Sequence, residues 1–231
     1  MSLPMHSRAN MEESMMASLS QRLKEQNSSG RARLGPDVLS VIDEATAHLA
    51  SSGLVEASLN VGAMAPDFSL PVATGAMISL SSLLIKGPVV LTFYRGGWCP
   101  YCSTELRALQ AKLPEITAAG ATLVAISPQT PDNSISTAEK FELAFPVLSD
   151  QGNAVAESFG LVFSLPESLR ELYRGFGYDL PAVNGDSTFR LPLAATYVID
   201  SDGVIAWRFA DADYTKRAEP DDVIAILEAL R

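Results

Sequence analysis

One stretch, Lys86 to Cys102 (KGPVVLTFYRGGWCPYC), constrains this chain more than any other. Its apolar run is continuous and of strand length, which suits a central strand covered on both faces. The run passes through Gly96 and Gly97 into two cysteines at CxxC spacing. Pro100 suits the first position of a helix, where its missing N–H would have had no intrahelical partner. Cys99 then falls near the N-cap and Cys102 in the first turn, with both sulfurs toward the positive helix end. Free backbone donors and the helix dipole favour thiolate, and CxxC thiols at such sites have pKa values of roughly 3.5 to 7.5 against ~8.5 for a free thiol. Two cysteines three apart also reach disulfide geometry, so whichever is oxidised has a resolving partner. Inert buried thiols, or half of an intersubunit metal or iron–sulfur site, are the competing readings, and a lone pair holds no cluster within one chain. Gly96 and Gly97 permit a tight turn and close approach of a partner backbone. Trp98 offers an exposed-edge aromatic beside the sulfur, or plain packing.

The chain downstream of the cysteines alternates between helical and strand patterns. Leu106, Leu109 and Leu113 mark a helical stripe ending before Pro114, and ATLVAIS supplies a second buried strand, so strand, helix and strand form a parallel crossover. A helix near Thr137 to Leu143, a strand at FPVLS and a helix near Asn153 to Phe159 come next. ATYVID and VIAWRFA, joined by Ser201, Asp202 and Gly203, make a hairpin. Pro220 opens a last helix whose buried face carries Val223, Ile224, Leu227 and Leu230. Upstream, APDFSLP, the turn TGAM and ISL read as a β-hairpin. The expected class is α/β with a mixed central sheet flanked by helices.

Two segments stand apart. Residues 1–60 form an N-terminal helical extension before a domain over 61–231. Within it Pro36 and Asp37 start an amphipathic helix (Val38, Val41, Ile42, Ala45, Leu49) that ends at Gly53, a weaker helix covers Glu12 to Lys24, and residues 1–10 are expected to be mobile. This arm packs on the main domain or on a second subunit. Between about 164 and 191 lies an insertion too long for an ordinary connection, with a short helix from Pro166 to about Phe176.

Composition narrows the function. Twenty-seven acids against 17 bases leave a net charge of −10, which disfavours nucleic acid and anionic lipid as partners. No run of about 18 apolar residues is present, so no membrane span is expected. The start MSLPMHSRAN lacks an apolar signal region, and the expected compartment is the cytoplasm, where structural disulfides are rare. Two cysteines and two histidines, with His6 and His48 far upstream, leave no four-ligand zinc site of those types and no histidine triad. No cofactor and no metal are expected.

The strand, GGWCPYC, helix and later hairpin resemble the thioredoxin-like superfamily, and FYRGGWCPYCSTEL resembles the active-site segment of peroxiredoxins. With its arm, AISPQTPD, FPVLSD, TYVIDSDG and DYTKRAEP, the whole chain is similar to the bacterial peroxiredoxin-like branch of the alkyl hydroperoxide reductase and thiol-specific antioxidant family. The resemblance implies a thioredoxin-like fold. Laid without gaps on FYP…T..C.TEL, it puts Cys102 at the peroxidatic position and Cys99 in place of the threonine. Arg95 replaces the proline of that pattern. The family's later arginine would fall at Ala194, where thioredoxins hold a cis-proline. The lost threonine and arginine normally hold the peroxide oxygens. Arg95 is the candidate substitute cation, against a solvated loop charge.

Three functions are compatible with these residues. The first is a thiol peroxidase in which the Cys102 thiolate attacks hydrogen peroxide or an organic hydroperoxide, becomes a sulfenic acid and condenses with Cys99 to a Cys99–Cys102 disulfide, recycled by a thioredoxin-like or other thiol reductant. The second is a thioredoxin- or glutaredoxin-like oxidoreductase with Cys99 as nucleophile. The third is a noncatalytic redox-sensing module. Site residues are Cys102 and Cys99, supported by Arg95 and Trp98. The insertion is a candidate lid, and the resemblance implies a homodimer.

Overall fold

The computed structural model describes residues 17–72 and 74–231. The expected helix from Glu12 and the mobility of residues 1–10 fall wholly or partly outside them. At the centre lies β3 (Val89–Phe93), all five residues buried. Its side chains alternate: Val89, Leu91 and Phe93 enter one core, and Val90 with the following Tyr94 enters the other. Sheet order is β5-β4-β3-β8-β9, formed by β4 (Thr122–Ser127), β5 (Val147–Ser149), β8 (Ala195–Ile199) and β9 (Ile205–Ala210). β4 lies parallel to β3 and β5 parallel to β4, whereas β8 runs antiparallel to both β3 and β9. The sheet is mixed, as the alternation of apolar runs and helical stripes implied.

Helices cover both faces. α5 (Pro100–Ala111), α6 (Leu113–Ala118) and α11 (Pro220–Ala229) bury Leu106, Leu109, Ile116, Val223 and Leu227 on one side. At ~1.5–3 kcal/mol for each fully buried aliphatic side chain, this face alone anchors the cysteine-bearing helix firmly. Pro114 opens α6 in addition to terminating the stripe before it. The other face is covered by the hairpin β1 (Ser69–Pro71) and β2 (Met77–Ser79), by α4 (Leu80–Leu84) and by α8 (Ala154–Ser158).

One helix starts earlier than its periodicity suggested. α7 spans Pro131–Lys140, not Thr137 to Leu143, because the Thr130 side chain accepts from the Asn133 N–H and Pro131 takes the first helical turn. Capping chemistry, not apolar spacing, sets that end.

In the arm, α1 (Leu19–Arg31) begins under a Ser18 cap and runs seven residues beyond the expected Lys24. Its Leu19 and Leu23 bury against Ala108 of α5. α2 (Pro36–Ala50) follows the expected stripe, and α3 (Leu54–Ala57) adds a turn after Gly53, whose φ of 76° breaks the helix. Ile42 of α2 packs with Leu165, Leu169, Tyr173, Leu180 and Leu191, so the arm docks on the insertion. That insertion leaves and returns through the antiparallel pair β6 (Val162–Ser164) and β7 (Arg190–Pro192), enclosing α9 (Glu167–Gly175) and α10 (Leu180–Asn184).

Candidate active site

The loop from Arg95 to Trp98 turns the chain out of β3 and into α5. Gly96 has a φ of 142°, and a Cβ there would lie 2.3 Å from Trp98 Nε1. A Cβ on Gly97 would lie 2.4 Å from Thr137 Oγ1. The glycines therefore make room for the loop's own indole and for α7, where a partner backbone was expected. The Gly97 N–H donates to Gln129 Oε1 at 2.7 Å, and that side chain's amide donates to the Asn133 carbonyl oxygen. Gln129 thus ties the loop to α7.

Cys99 is the N-cap of α5 and Pro100 stands at its start, as the residue chemistry required. Both cysteines are free and 0% exposed, so neither sulfur is the more accessible. Each faces its own buried guanidinium. Arg95 Nη2 lies 3.7 Å from Cys99 Sγ, and Arg217 Nη2 lies 3.1 Å from Cys102 Sγ.

Arg95 is 5% exposed, which overturns the solvated-charge alternative. It donates to Tyr173 Oη at 3.2 Å and lies 5.1, 5.8 and 4.6 Å from the ring centroids of Trp98, Tyr173 and Tyr214. Such cation–π contacts replace part of the lost hydration. No carboxylate pairs with it among the described residues. Arg217 differs. Its Nε donates to Glu105 Oε2 at 2.5 Å, in a pair whose side chains are 1% and 2% exposed. Thr92 Oγ1 donates to the other Glu105 oxygen at 3.4 Å, and the Tyr214 carbonyl accepts from Arg217 Nη1 at 2.7 Å.

These contacts divide the charge of the pair. Burial pushes the Cys99 thiol up, but the neighbouring Cys102 thiol, Arg95 and Arg217 together hold it well below its ordinary value. Burial, the hydrogen bond to Cys99 and the Cys99 charge push Cys102 well above its own, against Arg217 and Arg95. After burial the largest influence is the hydrogen bond between the two thiols, which lowers Cys99 and raises Cys102, while both guanidiniums act on both sulfurs. The Glu105 carboxyl is itself raised, by burial above all.

Trp98 is half-buried and stands 5.5 Å from Tyr173 and 5.3 Å from Tyr178, ring centre to ring centre. The insertion therefore covers the cysteine loop. Ala194 is buried beside Arg95 on the wall of a shared cavity and supplies no polar group. Arg217, Glu105 and Tyr173 were not singled out in the sequence. Glu105 lies in STEL and Arg217 in DYTKRAEP, but only folding brings a residue 115 positions downstream onto Cys102. Among the described residues no group of three or more His, Cys, Asp and Glu side chains comes together, and His48 is exposed on α2.

The AhpC/TSA family matches residues 61–208. The chain belongs to that family. It is a peroxiredoxin-like member of the thioredoxin-like superfamily, which places it among the thiol peroxidase oxidoreductases. Peroxiredoxin Q, chloroplastic, from Triticum aestivum is 32% identical over 158 residues, covering 68% of this chain and 62% of the wheat protein. The same-named Sedum lineare protein is 29% identical over 175 residues, 76% of this chain and 81% of its own. The crystal structure of Peroxidoxin BcpB from Mycobacterium tuberculosis superposes with a TM-score of 0.59 at 28% identity, covering 75% of this chain and 99% of that one. The arm lies before the family match. Among the described residues no helix is long and apolar enough to cross a membrane.

Proposed function

We propose that this AhpC/TSA member reduces hydroperoxides through Cys99 and Cys102, with Cys99 carrying the resting thiolate. The observation that carries the reading is the pair of fully buried sulfurs at one helix start, each within reach of its own buried guanidinium. The Cys99 thiolate attacks the distal peroxide oxygen and the O–O bond breaks, leaving a sulfenic acid on Cys99 and an alkoxide or hydroxide. That leaving group takes the proton of the Cys102 thiol. The new Cys102 thiolate then attacks the Cys99 sulfur and displaces hydroxide, closing the disulfide. A dithiol reductant of the thioredoxin type returns two electrons and two protons. Arg95, held in its aromatic box, stabilises the charge as it moves from sulfur to oxygen. Trp98 positions Arg95 and seals the site. We place the reaction in the cytoplasm, whose reducing pool keeps the pair as thiols.

A second reading makes Cys102 the attacking sulfur. The gapless register puts it at the family's peroxidatic position, and its 3.1 Å contact with Arg217 favours it. Rapid mixing of the fully reduced protein with hydrogen peroxide, with intact mass of the product, tests both. A rate far above that of a free thiol, with loss of two hydrogens, supports peroxidase action. If Cys99 attacks, Cys102→Ser accumulates a trappable sulfenate and Cys99→Ser is inert; the reverse pattern assigns the attack to Cys102. A free-thiol rate in the wild type, combined with fast reduction of protein disulfides, would move the function to thiol–disulfide exchange.

A further inference from the structure

The cysteine loop is packed against a cluster of oxidisable rings. Tyr173 of α9 and Tyr178 after it lie 5.5 and 5.3 Å from Trp98, ring centre to ring centre, and 6.1 Å from each other. Tyr101 of α5 lies 5.4 Å from Tyr214. Arg95 joins the two groups, since its guanidinium stands over Trp98, Tyr173 and Tyr214. These are the separations of rings in contact. Four of the chain's six tyrosines and one of its two tryptophans are thus gathered at the sulfurs. Packing alone does not call for their hydroxyls. Tyr173 accepts from Arg95 and Tyr101 donates to Asn27 Oδ1, but the Tyr178 and Tyr214 hydroxyls make no hydrogen bond among the described residues, where phenylalanine would fill the same space. The cluster also runs from Cys99 to the surface: Trp98 is its chain neighbour, Tyr178 is half-buried, and Phe176 beside Tyr178 is 42% exposed. Trp98 Nε1 is buried with no hydrogen-bond partner, so an oxidised indole has no acceptor for its proton and is restored by an electron alone. Arg95, 5.1 Å over that ring, disfavours a positive charge resting there, so Trp98 passes the charge on and does not store it.

We propose a second activity: the reduced protein quenches phenoxyl radicals at its surface, with electrons drawn one at a time from Cys99 through Trp98 and Tyr178. It goes beyond the peroxidase reading and needs no peroxide. A phenoxyl radical against the Phe176–Tyr178 edge takes an electron and a proton from Tyr178 and leaves as the phenol. An electron from the Cys99 thiolate, relayed by Trp98, and a proton from water restore Tyr178. The Cys99 thiyl radical then bonds to Cys102, whose thiol proton leaves to water, which gives a disulfide radical anion. A second phenoxyl radical takes the odd electron with a proton from water and leaves the Cys99–Cys102 disulfide. Two radicals become two phenols and two thiols become one disulfide, the form that a dithiol reductant resets. A thiolate gives up an electron more readily than a neutral phenol, and bonding to Cys102 makes the transfer one-way.

The test uses the phenoxyl radical of N-acetyltyrosinamide, generated with azide radical in oxygen-free solution, with catalase present to remove peroxide. Its decay is followed by time-resolved electron paramagnetic resonance with the full protein as dithiol or as disulfide. The dithiol form should quench about tenfold faster than the disulfide form, a difference of roughly 1.4 kcal/mol in barrier, and its intact mass should fall by two hydrogens. Tyr178→Phe keeps the ring and removes the oxidisable phenol; it should slow quenching by a similar factor and leave the rate with hydrogen peroxide unchanged. Trp98→Phe, the second variant, should slow quenching as well. Equal quenching by dithiol and disulfide forms, or quenching at the wild-type rate in both variants, overturns the proposal. The peroxidase reading stands or falls separately: fast reaction with hydrogen peroxide but no quenching removes the relay alone, whereas quenching with only a free-thiol rate toward peroxide keeps the relay and removes the peroxidase.

Discussion

Arg217 reaches Cys102 across 115 positions of the sequence, with its Nη2 3.1 Å from the sulfur, while Glu105 holds its Nε one turn further along the cysteine helix. Arg217 stands in the loop before α11. Its carboxylate partner comes from α5 itself. The cation at Cys99 is Arg95, which has no carboxylate partner among the described residues.

Glu105→Gln removes one member of a fully buried ion pair and leaves Arg217 uncompensated. The reduced protein should lose about 3 kcal/mol of stability in denaturant unfolding, near the low end for breaking such a pair. The freed guanidinium should also lower the Cys102 thiol, visible as a second thiolate in ultraviolet titration. Unchanged titration would mean that Arg217 does not act on the sulfurs.

Arg95→Met should raise the Cys99 thiol and cut the peroxide rate at neutral pH by about tenfold or more, since one pKa unit corresponds to ~1.4 kcal/mol. Tyr173→Phe removes only the 3.2 Å hydrogen bond and should cost about 1 kcal/mol of stability with a smaller loss of rate. Rapid-mixing kinetics over a range of pH separates the two.

Cys99 has a folded pKa below its unfolded value, so its ionisation contributes stability that is present above the unfolded thiol pKa and lost as pH falls through the folded one. Cys102, raised, has the opposite sign and contributes stability that is lost as pH climbs past about 8.5. Paired urea titrations of reduced wild type and Cys99→Ser should therefore show the wild-type advantage growing with pH up to about 8.5. A flat difference would place the resting charge elsewhere.

Gly97→Ala pushes a methyl to 2.4 Å from Thr137 Oγ1 and should destabilise by ~1–3 kcal/mol. In a Thr137→Ala background the nearest remaining atom is the Cβ at 3.2 Å, and most of that cost should disappear. A double-mutant cycle reads the coupling directly, and additive effects would show that the clash is not the cause.

Glu219 accepts from the Leu19 and Ser20 N–H groups at 3.0 and 2.6 Å, capping α1 from a position two residues after Arg217. Glu219→Ala should cost about 1 kcal/mol and expose α1 to limited proteolysis ahead of the remaining chain. Cleavage at the wild-type rate would mean that Leu19 and Leu23 hold the arm without the cap.

The residues from Lys86 to Cys102, read alone, determined the central strand, the helix start at Pro100 and two sulfurs at its positive end. Those features depend on neighbours in sequence, through apolar runs, proline at the first helical turn and CxxC spacing. Hairpin and crossover order were legible for the same reason, as were the α2 stripe and the short insertion helix. The true start of α7 was less so, because one Thr130 cap outweighs a weak apolar spacing. Tertiary structure alone decided that both sulfurs are buried, that Arg95 lies in a box of three aromatic rings, and that Arg217 and Glu105 flank Cys102. It also placed the arm against the insertion, enclosing a cavity beside Cys99. Burial and charge pairing depend on distances between residues far apart in the chain, and local patterning carries no information about those distances.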